Sequence, residues 1–350
     1  MLSETLRRWL SSHANELDQS DTQSGALLGH LADDGLFRIG IASGQGGEGM
    51  LTDAMDAVSE VAGYSLTAAF VFWGHRTYIE LLLRSSAPDL RERLLPDLLA
   101  GRLAGATGLS NAVKFLSGLE ELQVAGRRHG DGWRVDGRLH WVTNLQSVGF
   151  QVVTVVRPED ARAPFIASIS SGLDGVKRSD DLQLMAMRGS ATAALDFEQV
   201  AVAPSAILHP DAGAFLAQVR PRFLGLQCAM ADGLARRILN NCREWLSSGH
   251  VLYDEWRQLR QKHQDIRAQL WDGVREETFI QRPAEIFRLR IALIELVAQA
   301  IQQELALRGG KAYLSPEGDN FARRWRENAF LPLVTPSILQ LRRQLAGSGA

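Results

Sequence analysis

Between about residue 103 and residue 208 the apolar residues alternate, whereas on either side they recur every three or four positions. That change of period, made twice, admits few architectures. The middle segment holds short alternating runs at 122–125, 150–156, 165–169 and 194–202, punctuated by Gly, Pro and Asp. Such spacing predicts a compact antiparallel barrel or sandwich. Beyond Pro210 the stretches 215–246, 256–274, 282–307 and 325 onward, the last interrupted at Pro332 and Pro336, predict four long amphipathic helices. The expected class is α+β: a helical domain over 1–104, an antiparallel β domain over 105–208 and a four-helix bundle over 209–350. The three parts are expected to pack as one body.

Within the middle segment, residues 132–144 (GWRVDGRLHWVTN) carry the strongest pattern. Trp133, Val135, Leu139 and Trp141 alternate with polar residues on both sides of Asp136-Gly137, which predicts two antiparallel strands closed by a tight turn at that dipeptide. The second strand ends in Trp141-Val142-Thr143-Asn144. An indole face beside a hydroxyl and free backbone N–H groups suits a planar heterocycle, although most strands with Trp and Thr are simply half-buried.

The helical flanks read in the same way. Leu27, Leu28, Leu31 and Leu36 fall at helical spacing and the helix stops at Asp33-Asp34-Gly35, Thr52-Asp53 is read as the cap of the next helix, and Pro88-Asp89 starts another that ends at Gly101. The glycine-rich loop at 43–49 lacks the strand, helix and lysine that a phosphate cradle requires, and reads as a connector. His75, alone on an apolar face, reads as a core histidine. The apolar stretches 70–78 and 114–119 read equally as pocket wall or as core.

A net charge of −2 and a pI near 6.5 offer no field for nucleic acid or an anionic membrane. The longest apolar runs, at 66–73 and 79–83, are too short to span a bilayer. The first ten residues form the start of an amphipathic helix instead of an apolar signal core. Cys228 and Cys242 lie fourteen residues apart in a helical region without metal-ligand spacing, and read as buried thiols of a reducing cytoplasm.

The strand pair at 133–144 resembles the central strands of the acyl-CoA dehydrogenase superfamily, and the resemblance extends along the chain. "LRERLLPDLLAGRLAGATGLS" is similar to that family's entry into its β domain, and "MRGSATAALDFEQVAVAPSAIL" to its exit. The resemblance implies FAD, with FMN as a substitute, and a homodimer or homotetramer assembled through the bundle. It also implies a small-molecule or acyl-thioester substrate. Residue by residue, it places Trp141 and Thr143 against the flavin ring and its reactive edge, and Thr107 at the pyrimidine end. It makes Ser110 a hydrogen-bond donor to a phosphate, sets Gly309-Gly310 along a neighbouring subunit's cofactor, and counts Ser337 among the cofactor-binding residues. The sequence departs from the family in its loop 108–112, at Glu244-Trp245-Leu246 where an arginine and a phenylalanine are usual, and at Ala306 in place of a glutamine.

The family's base is missing. A glutamate before Gly-Thr has its counterpart in Leu331-Pro332-Leu333-Val334-Thr335-Pro336-Ser337, where Thr335 or Leu333 takes its place. The alternative glutamate position, at the start of the first bundle helix, reads Pro221-Arg222. Glu327 is the nearest acid and reads as a surface or salt-bridge residue. None of the residues in the base's place takes a proton from carbon at neutral pH, and such assistance is worth roughly 10²–10⁴-fold. Family frequency puts flavin-dependent dehydrogenation of an acyl thioester first and monooxygenation by reduced flavin second. The missing base favours the second, and a non-catalytic subunit that binds a partner is the third reading.

Overall fold

The computed structural model describes residues 2–160 and 162–347; the expected outer ends, Met1 and Ala350, lie outside the described residues. The chain begins with α1 (Glu4–Gln19), α2 (Ser24–Asp33), α3 (Leu51–Ala62), α4 (Leu66–Arg84) and α5 (Pro88–Leu99). Ser3 caps α1 by accepting the Leu6 N–H at 3.2 Å. The α3 cap differs from expectation. That helix starts at Leu51, and the Asp53 carboxylate reaches back to the Met50 N–H at 2.6 Å, because a carboxylate in the first turn can satisfy a free N–H just outside it. The glycine-rich loop is a connector fastened by Arg38, which donates to the Gly46 carbonyl at 2.9 Å.

A mostly antiparallel sheet follows, as the alternating pattern predicts. Its strands are β1 (Ala104–Gly108), β2 (Val124–His129), β3 (Gly132–Val142), β4 (Phe150–Pro158), β5 (Phe165–Ser170), β6 (Val176–Arg178), β7 (Ala193–Val202) and β8 (Ile207–His209), with α6 (Ser110–Leu116) between β1 and β2. The spatial order is β6-β7-β3-β2-β4-β5-β8, and β1 pairs with β4. Two ladders are parallel: β1 on β4 from Ala104↔Phe150 to Gly108↔Thr154, and a short one between β2 and β4.

The expected hairpin turn is misplaced. Gly132 to Val142 is one continuous strand, and the turn lies earlier, at Gly130-Asp131, with His129 facing Gly132. Asp136-Gly137 instead forms an irregularity in the pairing of β3 with β7. The Asp136 carboxylate accepts the Gln199 N–H at 2.8 Å. Gly137 sits at φ +143°, where an added Cβ would lie 2.3 Å from the Gln123 carbonyl oxygen. Both dipeptides contain a glycine with positive φ, and long-range neighbours decide which one turns the chain.

The C-terminal part comprises α7 (Ala212–Glu244), α8 (Tyr253–Arg275), α9 (Thr278–Gln281), α10 (Pro283–Arg308), α11 (Asp319–Phe330) and α12 (Ile338–Gly347). The expected fourth helix is therefore two helices joined by a turn over 331–337. α7 packs against α3, α4, α8 and α10 and so joins the bundle to the N-terminal helices. Cys228 and Cys242 are buried and unbridged, and burial pushes each thiol up to about 12, which leaves little thiolate for reaction. Among the described residues no helix is long and apolar enough to cross a membrane.

His75 is fully buried on α4 and bonded on both ring nitrogens: Nδ1 accepts the Gly105 N–H at 2.9 Å, and Nε2 lies 3.0 Å from the Leu98 carbonyl. Because Gly105 N can only donate, the ring is neutral with its proton on Nε2. Desolvation by burial lowers its pKa from 6.5 to about 4.

Two predictions follow from these placements. Gly137→Ala should lower stability by roughly 2–4 kcal/mol, from backbone strain and overpacking, whereas Gly130→Ala, whose Cβ would meet open space, should cost about 1 kcal/mol. Urea denaturation midpoints compare them, and equal losses would restore the turn to Asp136-Gly137. For His75 the unfolded chain binds the proton first, so its contribution is complete above pH 6.5 and is lost as pH falls towards 4. The gap between 6.5 and about 4, at about 1.4 kcal/mol per pH unit, amounts to about 3 kcal/mol. Stability measured from pH 7 to 4 should therefore fall less steeply for His75→Gln than for the wild type.

Candidate functional site

The candidate site is built on the Gly105 peptide. His75 of α4 takes its N–H, and Asn144 Nδ2 donates to its carbonyl at 2.9 Å. Asn144 is fully buried at φ +65° immediately beyond β3, and its own N–H donates to the Ser190 carbonyl at 3.0 Å. This side chain ties the end of β3 to β1. Thr107 and Trp141 are thereby held on neighbouring strand ends, Thr107 half-buried and paired with Val153.

Trp141 is 61% exposed, whereas Trp133, eight residues earlier on the same strand, is buried. The indole borders an open cleft of about 130 Å³, together with Gly108, Ser110, Leu139 and His140. Drug-sized ligand pockets run from about 300 Å³, so the cleft accommodates a three-ring heterocycle only if a second surface closes over it. Thr143, buried at the strand end, has its Oγ1 3.0 Å from Thr192 Oγ1, which lies 2.7 Å from Ser190 Oγ. In a row of three hydroxyls, protons directed from Ser190 to Thr192 to Thr143 leave the Thr143 hydroxyl free to donate outward. Trp141 lines the cleft whereas Thr107 and Thr143 do not; an exposed indole and a hydroxyl free to donate are the kinds of group that the face and edge of a flavin ring require.

Ser110 begins α6, and its hydroxyl lies 3.0 Å from Thr335 Oγ1 in the α11–α12 turn. Three residues fix that turn. The Gln227 amide of α7 donates to the Thr335 carbonyl at 3.0 Å, the buried Arg290 of α10 donates to the carbonyls of Val334, at 2.9 Å, and Pro336, and Ser337 Oγ caps α12 by accepting the Gln340 N–H at 3.3 Å. The hydroxyl of Ser337 is thus engaged in the turn itself. Arg290 and Gln227 carry no sequence signal of this duty, since each meets its partners only after the helices pack. Of the two residues considered for the place of the base, Thr335 faces Ser110 and Leu333 is 70% exposed to solvent.

A second, larger cavity of about 820 Å³ lies among α6, α7, α10 and α12. Leu109 and Pro336 border it, whereas Ser110 borders the cleft. The Ser110–Thr335 hydrogen bond consequently stands in the partition between the two cavities. Val113, Leu116 and Ser117 also line the groove, which makes part of 114–119 a pocket wall, while 70–78 is buried helix in α4.

The carboxylates lining these cavities, among the described residues, are Glu120 in the cleft and Glu285 in the groove. Glu120 accepts from Lys114 at 2.6 Å and Asn111 at 3.2 Å, and the Lys114 hydrogen bond holds its pKa below the usual value, which makes it a weaker base. Glu285 pairs with Arg282 at 3.0 Å. Glu327 is not a surface residue: it is 1% exposed, accepts the Leu66 N–H at 2.9 Å and lies 3.5 Å from Arg323. Burial raises its pKa despite the arginine, and its partners are at the start of α4. Pro221 is buried within α7, and Arg222 binds Glu80 at 3.1 Å and Glu277 at 2.5 Å.

Gly309 and Gly310 are exposed at the end of α10, and an added Cβ at either would meet no atom within 4 Å. They border neither cavity of their own chain. Nearby, Arg308 and Lys311 lie 6.0 and 5.9 Å from the half-exposed Trp245 ring, and Tyr313 and Leu314 are exposed. Arg243, just before the Glu244-Trp245-Leu246 segment, donates to the Leu246 carbonyl at 2.6 Å. No cluster of His, Cys, Asp and Glu among the described residues is arranged to hold a metal.

The family model for the acyl-CoA dehydrogenase N-terminal domain matches residues 1–102. Mitochondrial isovaleryl-CoA dehydrogenase of Pongo abelii is 25% identical over 232 residues, 61% of this chain and 54% of that protein. Dibenzothiophene monooxygenase of Mycolicibacterium goodii is 26% identical over 254 residues, covering 69% and 60% respectively. The chain thus spans only about half the length of the curated dehydrogenases it matches. Its fold is shared with butyryl-CoA dehydrogenase of Megasphaera elsdenii at a TM-score of 0.81, with 16% identity over 99% of this chain and 94% of that one. The N-terminal 102 residues thus match the acyl-CoA dehydrogenase family model, and nearly the whole chain has the acyl-CoA dehydrogenase fold.

Proposed function

We propose that the protein is a flavin-dependent oxidoreductase that uses the flavin without a carboxylate base. The carrying observation is the hydroxyl pair of Ser110 and Thr335 in the partition between the cavities, at the point where the family's glutamate would be expected. Neither hydroxyl takes a proton from carbon at neutral pH, and the two carboxylates that line the cavities are occupied by cations. This favours oxygenation of a substrate by reduced flavin. Similarity to both a dehydrogenase and a monooxygenase accommodates that chemistry.

FAD is the proposed cofactor, with FMN as a substitute. Trp141 would support one face of its ring, Thr143 would donate to its edge, and Thr107 would hold the pyrimidine end. Ser110 would be the nearest hydroxyl on the substrate side. The bound flavin would supply a two-electron acceptor when oxidised and would activate oxygen when reduced. The shallow cleft asks for a second wall, and a second copy of the chain could provide it with its exposed Gly309-Gly310 end, where backbone can approach a cofactor without side-chain obstruction. A homodimer or a dimer of dimers satisfies this arrangement.

Acyl-thioester dehydrogenation is the second reading. It is favoured by the size of the groove and by its apolar residues Leu109, Val113, Phe223 and Phe287. Proton removal would then lack the roughly 10²–10⁴-fold assistance of a general base.

Titration of the purified protein with FAD and FMN tests the cofactor: saturable quenching of flavin fluorescence is expected, weakened about tenfold or more in Trp141→Ala, in keeping with about 1–3 kcal/mol for aromatic stacking on a heterocycle. A protein that ignores both flavins would sink the redox assignment and leave the non-catalytic reading. Anaerobic mixing with acyl-CoAs of varied chain length separates the two chemistries. Prompt bleaching of the flavin would establish the dehydrogenase, and no bleaching together with substrate-dependent oxygen use by the reduced protein would establish the oxygenase.

A further inference from the structure

The groove between α6, α7, α10 and α12 contains a charge that the proposed chemistry does not use. Arg220 lines it from α7, half-buried, with its guanidinium 5.9 Å from the Phe287 ring. Among the described residues no carboxylate pairs with it and no carbonyl accepts from it. Its neighbours are treated differently. Arg222 is shared by Glu80 and Glu277, and Arg290 is taken by the carbonyls of Val334 and Pro336. Desolvation by burial lowers the pKa of Arg220, so the charge is held at a cost that a bound anion would offset. Around it the lining is apolar: Leu216, Val219, Phe223, Leu224 and Phe287.

We propose that Arg220 is a specificity-determining residue that binds a carboxylate carried by an otherwise apolar substrate in this groove. A single guanidinium fork matches a planar carboxylate through two parallel hydrogen bonds, and the apolar lining suits the remainder of the molecule. The helix supplies the ruler. Gln227, which holds the Thr335 carbonyl, lies seven residues beyond Arg220 on α7, about 10 Å along the axis at 1.5 Å per residue. Arg220 and the residue that holds the partition are thus rooted about 10 Å apart along α7, on the order of the length of a medium aliphatic chain. At the rim Arg282 is paired with Glu285, and exposed Arg288 and Arg343 add positive charge along the approach. This inference rests on the groove being the substrate site of the proposed function, and binding can be measured without turnover or added flavin.

Octanoate and octan-1-ol, equal in chain length and different in charge, are the probes. Calorimetric titration of the full chain should show saturable octanoate binding at one site, with octan-1-ol weaker by about 10- to 100-fold, as expected for a hydrogen bond to a charged group. Arg220→Met should lose the octanoate preference and retain octan-1-ol affinity. Arg220→Lys, which keeps the charge without the fork, should fall between them. Circular dichroism checks that each variant is folded, and an unfolded methionine variant leaves the lysine variant and the wild-type preference to decide. Equal affinity for the two probes, or an octanoate preference that survives Arg220→Met, would overturn the proposal. Flavin titrations of the same samples separate the two ideas: a protein that prefers octanoate but binds no flavin keeps this inference and loses the redox reading, and one that binds flavin without the preference does the reverse.

Discussion

One backbone amide group holds the candidate site together. Gly105 lies in a short strand, and its N–H and C=O are taken by the side chains of His75 and Asn144. A strand of five residues paired along β4 has little stability of its own. Side chains that complete its hydrogen bonding also cover an edge that would otherwise attract another chain. Because the two partners come from α4 and from the end of β3, the same pair of bonds fixes a helix, an edge strand and the strand that carries Trp141. If the histidine is protonated, a second N–H faces the Gly105 N–H, and the anchor is lost on one side while Asn144 holds the other.

Buried charge plays a comparable part between the helices. Asp18 of α1 binds Arg326 of α11 at 2.6 Å, Glu327 of α11 accepts from the start of α4, and Asp232 of α7 lies 2.8 Å from His263 of α8 and accepts from Ser59 of α3 at 2.6 Å. Apolar residues of similar volume could fill such places at no loss of stability. These pairs restrict the alternatives: a helix shifted by one turn would leave a carboxylate or a guanidinium without its partner, and a buried charge without a partner costs several kcal/mol. The α11–α12 turn is located in this way. Arg290 is satisfied only when the carbonyls of Val334 and Pro336 are in place, and that placement carries Thr335 to Ser110.

Local pattern accounts for most of the architecture that could be read from the chain. The two changes of period were visible because each segment buries one face, and a buried face imposes its own repeat. The strand ends Trp141 and Thr143 could be singled out on the resemblance of one motif. What could not be read depended on neighbours distant in sequence. Gly130-Asp131 and Asp136-Gly137 offer similar turn chemistry, and only the Gln123 carbonyl and the Gln199 N–H settle which one turns. Glu327 looks like any helical acid four residues from an arginine, and its burial follows from the docking of α11 against α4. Gln227, Arg290 and Arg220 sit in ordinary helical sequence, yet two of them hold a turn and the third faces a groove.

The placement of Ser110 and Thr335 has a chemical consequence beyond the missing carboxylate. Two hydroxyls 3.0 Å apart can exchange roles as donor and acceptor without carrying net charge. A carboxylate in the same partition would repel an anionic substrate and attract a cationic one, whereas a hydroxyl pair does neither and can still orient a polar oxygen or nitrogen on either side. Selection by charge is therefore moved away from the partition and into the groove, where Arg220, Arg288 and Arg343 are found and Arg282 is paired with Glu285. Separating a neutral point of contact from a charged point of recognition lets the same protein hold an anionic molecule firmly at one end while leaving its other end undisturbed by a fixed charge.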